Sequence, residues 1–117
     1  MELTVGAFQF AASGDVRRNL GAVERGVVAA ARRGVRLLVL QECALSGYPP
    51  LEVPLVEDID ANSVRSAEGA VAELAQVHSM YIASGTVVVG PDGARNVVRV
   101  ARPTGTLSPG YVEWALY

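Results

Sequence analysis

The chain has 117 residues, 50% of them hydrophobic, with a net charge of -2 and a pI near 5.3. That is the length of one domain, able to bury roughly two-thirds of its unfolded surface, and the absence of a basic block argues against nucleic-acid or anionic-membrane partners. A single cysteine excludes an internal disulfide, Cys and His show no metal-ligand spacing, and all the cations are arginine, with no lysine anywhere.

The first strand is expected over Leu3 to Phe10, almost at the N-terminus, with Gly6 and Ala7 leaving room for a close neighbour. No charged leader, apolar signal core or membrane-length run precedes it, so the expected compartment is the cytoplasm. Gln9 reads as a strand-end hydrogen bonder. Ser13-Gly14-Asp15 forms a turn, and Asp15 is a good N-cap. The helix after it is expected to run to about Arg33, because Val16, Leu20, Val23, Val27 and Ala30-Ala31 fall on one stripe. Arg17, Arg18, Glu24, Arg25 and Arg32 lie off that stripe and read as a solvated face. Gly34 supplies the stop, with cations in the last turn where the helix dipole favours them.

Leu37-Leu38-Val39-Leu40 reads as a strand covered on both faces, since it does not alternate. Strand, helix, strand makes a parallel βαβ unit. Glu42 follows at the carboxyl end of that strand, where open α/β sheets gather their ligands. The acidic stretch from Leu51 to Val64 contains Pro54, lacks metal-ligand spacing among its acids, and reads as a solvated loop beside the site. A second helix is expected from between Asn62 and Gly69 to near His78, burying Ala67, Val71, Leu74 and Val77-His78. His78 has no nucleophile beside it and reads as a helix C-terminal residue. Tyr81 to Val89, a Gly90-Pro91-Asp92-Gly93 turn, Asn96 to Ala101, a Pro103-Thr104-Gly105 turn and Thr106–Tyr117 together predict an antiparallel meander.

The stretch Leu37 to Pro50, LLVLQECALSGYPP, resembles the first catalytic segment of the nitrilase superfamily, the carbon–nitrogen hydrolases. That segment commonly reads hydrophobic strand, Pro-Glu-Leu, then Gly-Tyr; here Gln41 stands for the proline and Cys43 for the leucine. The Asp15, Val16, Asn19, Leu20 pattern and Asn96 at the fourth strand also match the family's habits. The Gly47-Tyr48-Pro49-Pro50 turn is similar to that of glutamine-hydrolysing domains attached to NAD synthetases. The implied fold is α/β, half of an αββα sandwich, with a mixed sheet built from a βαβαβ start and an antiparallel meander. The chain would then be the N-terminal part of one catalytic domain.

The resemblance implies cleavage of a non-peptide C–N bond in a small amide- or nitrile-type substrate, with no cofactor and no metal. A cysteine thiolate attacks, a glutamate moves the protons, and a lysine ammonium faces the oxyanion. Glu42 takes the place of the general base, and Tyr48 is a candidate substrate contact. Laying Gly105 and Tyr111 on the family's later segment puts Glu113 where the lysine belongs, which would bring a second carboxylate near Glu42. No register supplies a lysine, because the chain has none. The family's nucleophile lies on a later segment than any present here. Cys43 reads as a small buried substitute for leucine, its side chain pointing away from Glu42 if the strand continues that far. The chain is therefore expected to be a truncated or degenerate hydrolase that retains only its base. The alternative is a non-catalytic subunit. A lone half would expose one apolar sheet face, so self-association or pairing with a complete hydrolase is expected.

Overall fold

The structure, a computed structural model, describes residues 2–112. The chain runs β1 (Val5–Phe8), α1 (Val16–Arg32), β2 (Leu37–Leu40), a 3₁₀ turn (Val56–Asp58), α2 (Ala61–Val77), β3 (Tyr81–Gly90), β4 (Gly93–Ala101) and β5 (Tyr111–Val112). The five strands form one sheet in the order β1-β2-β3-β4-β5. β1 and β2 are parallel, as are β2 and β3, while β3, β4 and β5 pair antiparallel. This is the mixed sheet expected: parallel where helices return the chain, antiparallel where tight turns do. Pro91-Asp92 is the two-residue loop of the β3–β4 hairpin, so β4 begins at Gly93, before the expected Asn96.

Both helices begin at an aspartate that caps them. Asp15 accepts from the Arg18 N–H at 3.2 Å, and Asp60 accepts from the Asn62 N–H at 3.0 Å. Both end in the same hydrogen-bonded stop. After α1, Gly34 (φ +74°) donates to the Ala31 carbonyl and Val35 to that of Ala30. After α2, Ser79 (φ +51°) donates to Gln76 and Met80 to Ala75. Met80 is fully buried and anchors this second stop without a glycine.

The helices share one face of the sheet. Val23, Val27 and Ala30 of α1 and Ala67, Val71 and Ala75 of α2 pack on Leu38, Leu40, Ile82 and Ala101. Gly26 extends the buried stripe of α1, because a Cβ there would lie 2.4 Å from the Phe8 ring. Val77 departs from expectation. It sits at the end of α2 but is 75% exposed, the buried stripe having rotated onto Ala72 and Ala75. An ion pair also ties α2 to β4: Glu68, 7% exposed, lies 2.6 Å from Arg99 Nε. The contact is ionic and outside hydrogen-bond geometry, as the Nε–H is not aimed at the oxygen.

The opposite face is partly uncovered within the described residues: Gly85, Val87 and Asn96 lie under the turn that follows β2, and the rest is open. Register places Val5, Val39, Tyr81, Val98 and Tyr111 there, and all are exposed. Val39 was expected to be covered on its side of β2; it is 42% exposed because both helices lie on the other face.

Candidate active site

β2 stops at Leu40, and its neighbour β1 at Phe8, yet their pairing is prolonged by a side chain. Gln41 Oε1 accepts from the Phe10 N–H at 3.2 Å, and Gln41 Nε2 donates to the Phe10 carbonyl at 2.6 Å. The side chain amide thus imitates one more rung of the ladder, which proline could not do. Gln9, expected in this role, is exposed.

Beyond Gln41 the chain leaves the extended conformation. Cys43 has φ +52°, a left-handed value rarely adopted outside glycine and asparagine. The turn that follows takes over the edge of β3 that β2 no longer reaches. The Leu45 N–H donates to the Gly85 carbonyl at 3.2 Å, and the Val87 N–H donates to Ser46 Oγ at 2.9 Å. Gly85 is required for this approach: a Cβ there would lie 2.9 Å from the Cys43 nitrogen. Buried Asn19 reaches up from α1 to hold the turn, donating from Nδ2 to the carbonyls of Leu45 (2.9 Å) and Ser13 (2.8 Å). Its Oδ1 accepts from the Ser13 N–H at 2.8 Å, so both ends of the amide are used. Gly47 (φ +83°) passes so close to the Ser13 carbonyl that a Cβ would lie 2.5 Å from its oxygen.

This scaffold delivers Glu42 to Asn96 of β4, whose Nδ2 donates to Glu42 Oε1. Cys43 converges on the same amide, with Sγ 3.6 Å from Asn96 Oδ1. The two neighbouring side chains therefore meet one residue; they would point apart only if the strand continued, and it stops at Leu40. The physical reason is the left-handed turn at Cys43, which breaks strand alternation just past Gln41. Cys43 is buried, as expected, but it has a hydrogen-bonding part as well as a packing one.

Tyr48 is half-buried after the turn; its N–H donates to Glu52 Oε2 at 3.0 Å. It lines a cleft of about 200 Å³ with Cys43, Pro49, Val56, Val87 and Asn96. The structure thus brings Glu42, Cys43, Tyr48 and Asn96 into one neighbourhood. Glu113, expected in the lysine position, lies outside the described residues. His78 closes α2 through its backbone, well removed in the fold from β2's carboxyl end. Gly85 is not among the residues expected from the sequence to contribute, and Gln41 and Asn19 figure there only as motif positions. For Gly85 the only signal was a glycine inside an otherwise bulky strand. A larger cleft, about 510 Å³, lies between the starts of α1 and α2 and holds none of the candidate residues. Among the described residues no group of three or more His, Cys, Asp or Glu could hold a metal ion, and no helix is long and apolar enough to cross a membrane.

A model of the carbon–nitrogen hydrolase family matches residues 4–109. The chain belongs to the carbon–nitrogen hydrolase family. Its fold is that of solved amidases of the nitrilase superfamily. The NitN amidase from Nesterenkonia sp. AN1 superposes with a TM-score of 0.82 at 21% identity, over 99% of this chain and 46% of that one. A mutant of the amidase from Nesterenkonia sp. AN1, in complex with butyramide, gives a TM-score of 0.82 at 22% identity, over 98% and 44%. A further structure of an amidase from Nesterenkonia sp. gives a TM-score of 0.80 at 21% identity, over 98% and 44%. This carbon–nitrogen hydrolase chain thus spans less than half the length of the solved structures it matches. A comparison with the curated proteins finds no match.

Proposed function

We propose that this chain supplies the general-base half of an amide-cleaving carbon–nitrogen hydrolase and is incomplete without a second half carrying the cysteine nucleophile, while the lysine expected within this chain is missing from it. The observation that carries this reading is Glu42, held by Asn96 just past the carboxyl end of β2. A carboxylate there can take the proton from an incoming thiol as sulfur bonds the substrate carbon. It then returns that proton to the leaving nitrogen as the C–N bond breaks, and water drawn against the same base releases the acyl group. Tyr48 lines the adjoining cleft, which supports reading it as a substrate contact. Amides are the preferred class because the similar structures are amidases, one of them in complex with butyramide.

The test is ammonia release from butyramide. The purified 117-residue chain is expected to release none above a buffer blank, since no lysine is present to stabilise the oxyanion. Release by the chain alone, abolished in Glu42→Gln, would overturn the claim that a second half is needed.

A second reading is a non-catalytic subunit that uses the open face to bind a complete hydrolase or a second copy. The exposed row Val5, Val39, Tyr81, Val98 and Tyr111 favours it. It predicts association through that face, the measurement taken up at the scale of the whole molecule below.

A further inference from the structure

We propose that Asn96 is the positioning residue for Glu42, and that the Cys43 thiol sets which way the Asn96 amide faces. The inference rests on Glu42 being the base and adds how that base is aimed. Asn96 is 5% exposed on β4, opposite Val87 in register, and cannot reorient into solvent. Its amide has one accepting end and one donating end. A carboxylate can only accept from it, and the neighbouring thiol has a proton to donate. With Oδ1 toward Cys43 Sγ at 3.6 Å and Nδ2 toward Glu42 Oε1, both demands are met at once. Turning the amide over would set Oδ1 against a carboxylate oxygen and put a donor against the S–H.

Three features of the chain exist to make this arrangement reachable. The left-handed Cys43 folds its side chain to the same side as that of Glu42. Gly85 admits the backbone of both over β3. The bonds from Leu45 to Gly85 and from Val87 to Ser46 hold the turn down on that strand. Engaging Oε1 assigns the proton transfer to Oε2, so a nucleophile and a leaving nitrogen must both be met by that second oxygen. The leucine usual at this place in the family has no proton to offer. Cys43 therefore has a function here that involves no nucleophilic attack.

The test is an NMR titration of the Asn96 side-chain amide in the 117-residue chain. In the unmodified protein the Nδ2 proton resonances are expected to move as Glu42 takes up a proton, and the movement should vanish in Glu42→Gln. In Cys43→Ala it should fall by at least half, and Cys43→Ser, which restores a donor of similar size, should recover most of it. The backbone amide spectrum of Cys43→Ser establishes that the turn still folds. An Asn96 amide that ignores the Glu42 titration in the unmodified protein overturns the positioning. A Cys43→Ala response equal to the unmodified one overturns the part given to the thiol. The titration reads position and not turnover. It can fail while Glu42 remains the base of an assembled hydrolase, and it can succeed in a chain that turns nothing over.

Discussion

A glutamate becomes a usable base only when its surroundings decide where its oxygens go, and those surroundings here come from four other elements of the chain. Asn96 arrives from β4, Gly85 from β3, Asn19 from α1, and Gln41 bridges to Phe10, two residues past β1. Gln41 and Cys43 look in the sequence like tolerated departures from a motif. In the fold each takes a specific hydrogen bond that the usual proline and leucine could not make. Gly85 offers the sharpest test at this scale. Adding one methyl group there forces the Cys43 nitrogen away from a 2.9 Å approach. Gly85→Ala should destabilise the chain by roughly 1–3 kcal/mol, as overpacking usually does. It should also separate Glu42 from Asn96. Urea midpoints measure the first effect; an unchanged midpoint together with an unchanged Asn96 amide resonance would show that the turn does not depend on Gly85.

The helices and strands were the legible level. Both helices carry an apolar stripe, and α1, capped by the expected Asp15, runs over the span that its stripe and Gly34 imply; α2 begins at Ala61, ahead of the expected start, because Asp60 of the acidic stretch caps it. α2 ends where expected, at His78, but Val77 is exposed because the buried stripe turns onto Ala72 and Ala75. Its start can be tested with pH. The Ser63 hydroxyl, donating to Asp60 at 2.7 Å, holds the Asp60 carboxyl below its ordinary value of 3.8, helped by the Asn62 N–H. A lowered folded-state value means the cap's contribution is complete above the unfolded value and is lost as pH falls through the folded one. Removing the hydroxyl in Ser63→Ala should raise the Asp60 value, so the helical circular dichroism signal should be lost at a higher pH on acidification. Identical acid profiles for the two proteins would mean that the cap is not coupled to α2.

For the molecule as a whole, the decisive feature is that both helices cover the same face of the sheet. The other face presents Val39 and Val98 at 42% and 38% exposure, between the more exposed Val5, Tyr81 and Tyr111. Contiguous apolar surface of this kind drives association. The chain should therefore sediment as a concentration-dependent dimer or larger species. Val39→Asp and Val98→Asp should each weaken that association by about tenfold, roughly 1.4 kcal/mol. A monomer at high concentration, unchanged by either substitution, would rule out the open face as a self-association surface and leave a different partner half as its occupant.

By itself the sequence determined much of the local structure: the Asp15 cap, the stripes, the tight turns of the meander, and a carboxylate at the end of an aliphatic strand. These follow from backbone conformation and short-range periodicity, which a chain carries in its own order of residues. The family motif added the part Glu42 is read to play. Only the tertiary structure decided what meets Glu42. Asn96 lies 54 residues along the chain from it, and their contact depends on the register of β3 and β4 and on a left-handed turn at a cysteine. Nor could periodicity say which strand face stays open. LLVL reads the same whether the far face is met by a helix, a second sheet or water, and only the placing of α1 and α2 on one side settles it.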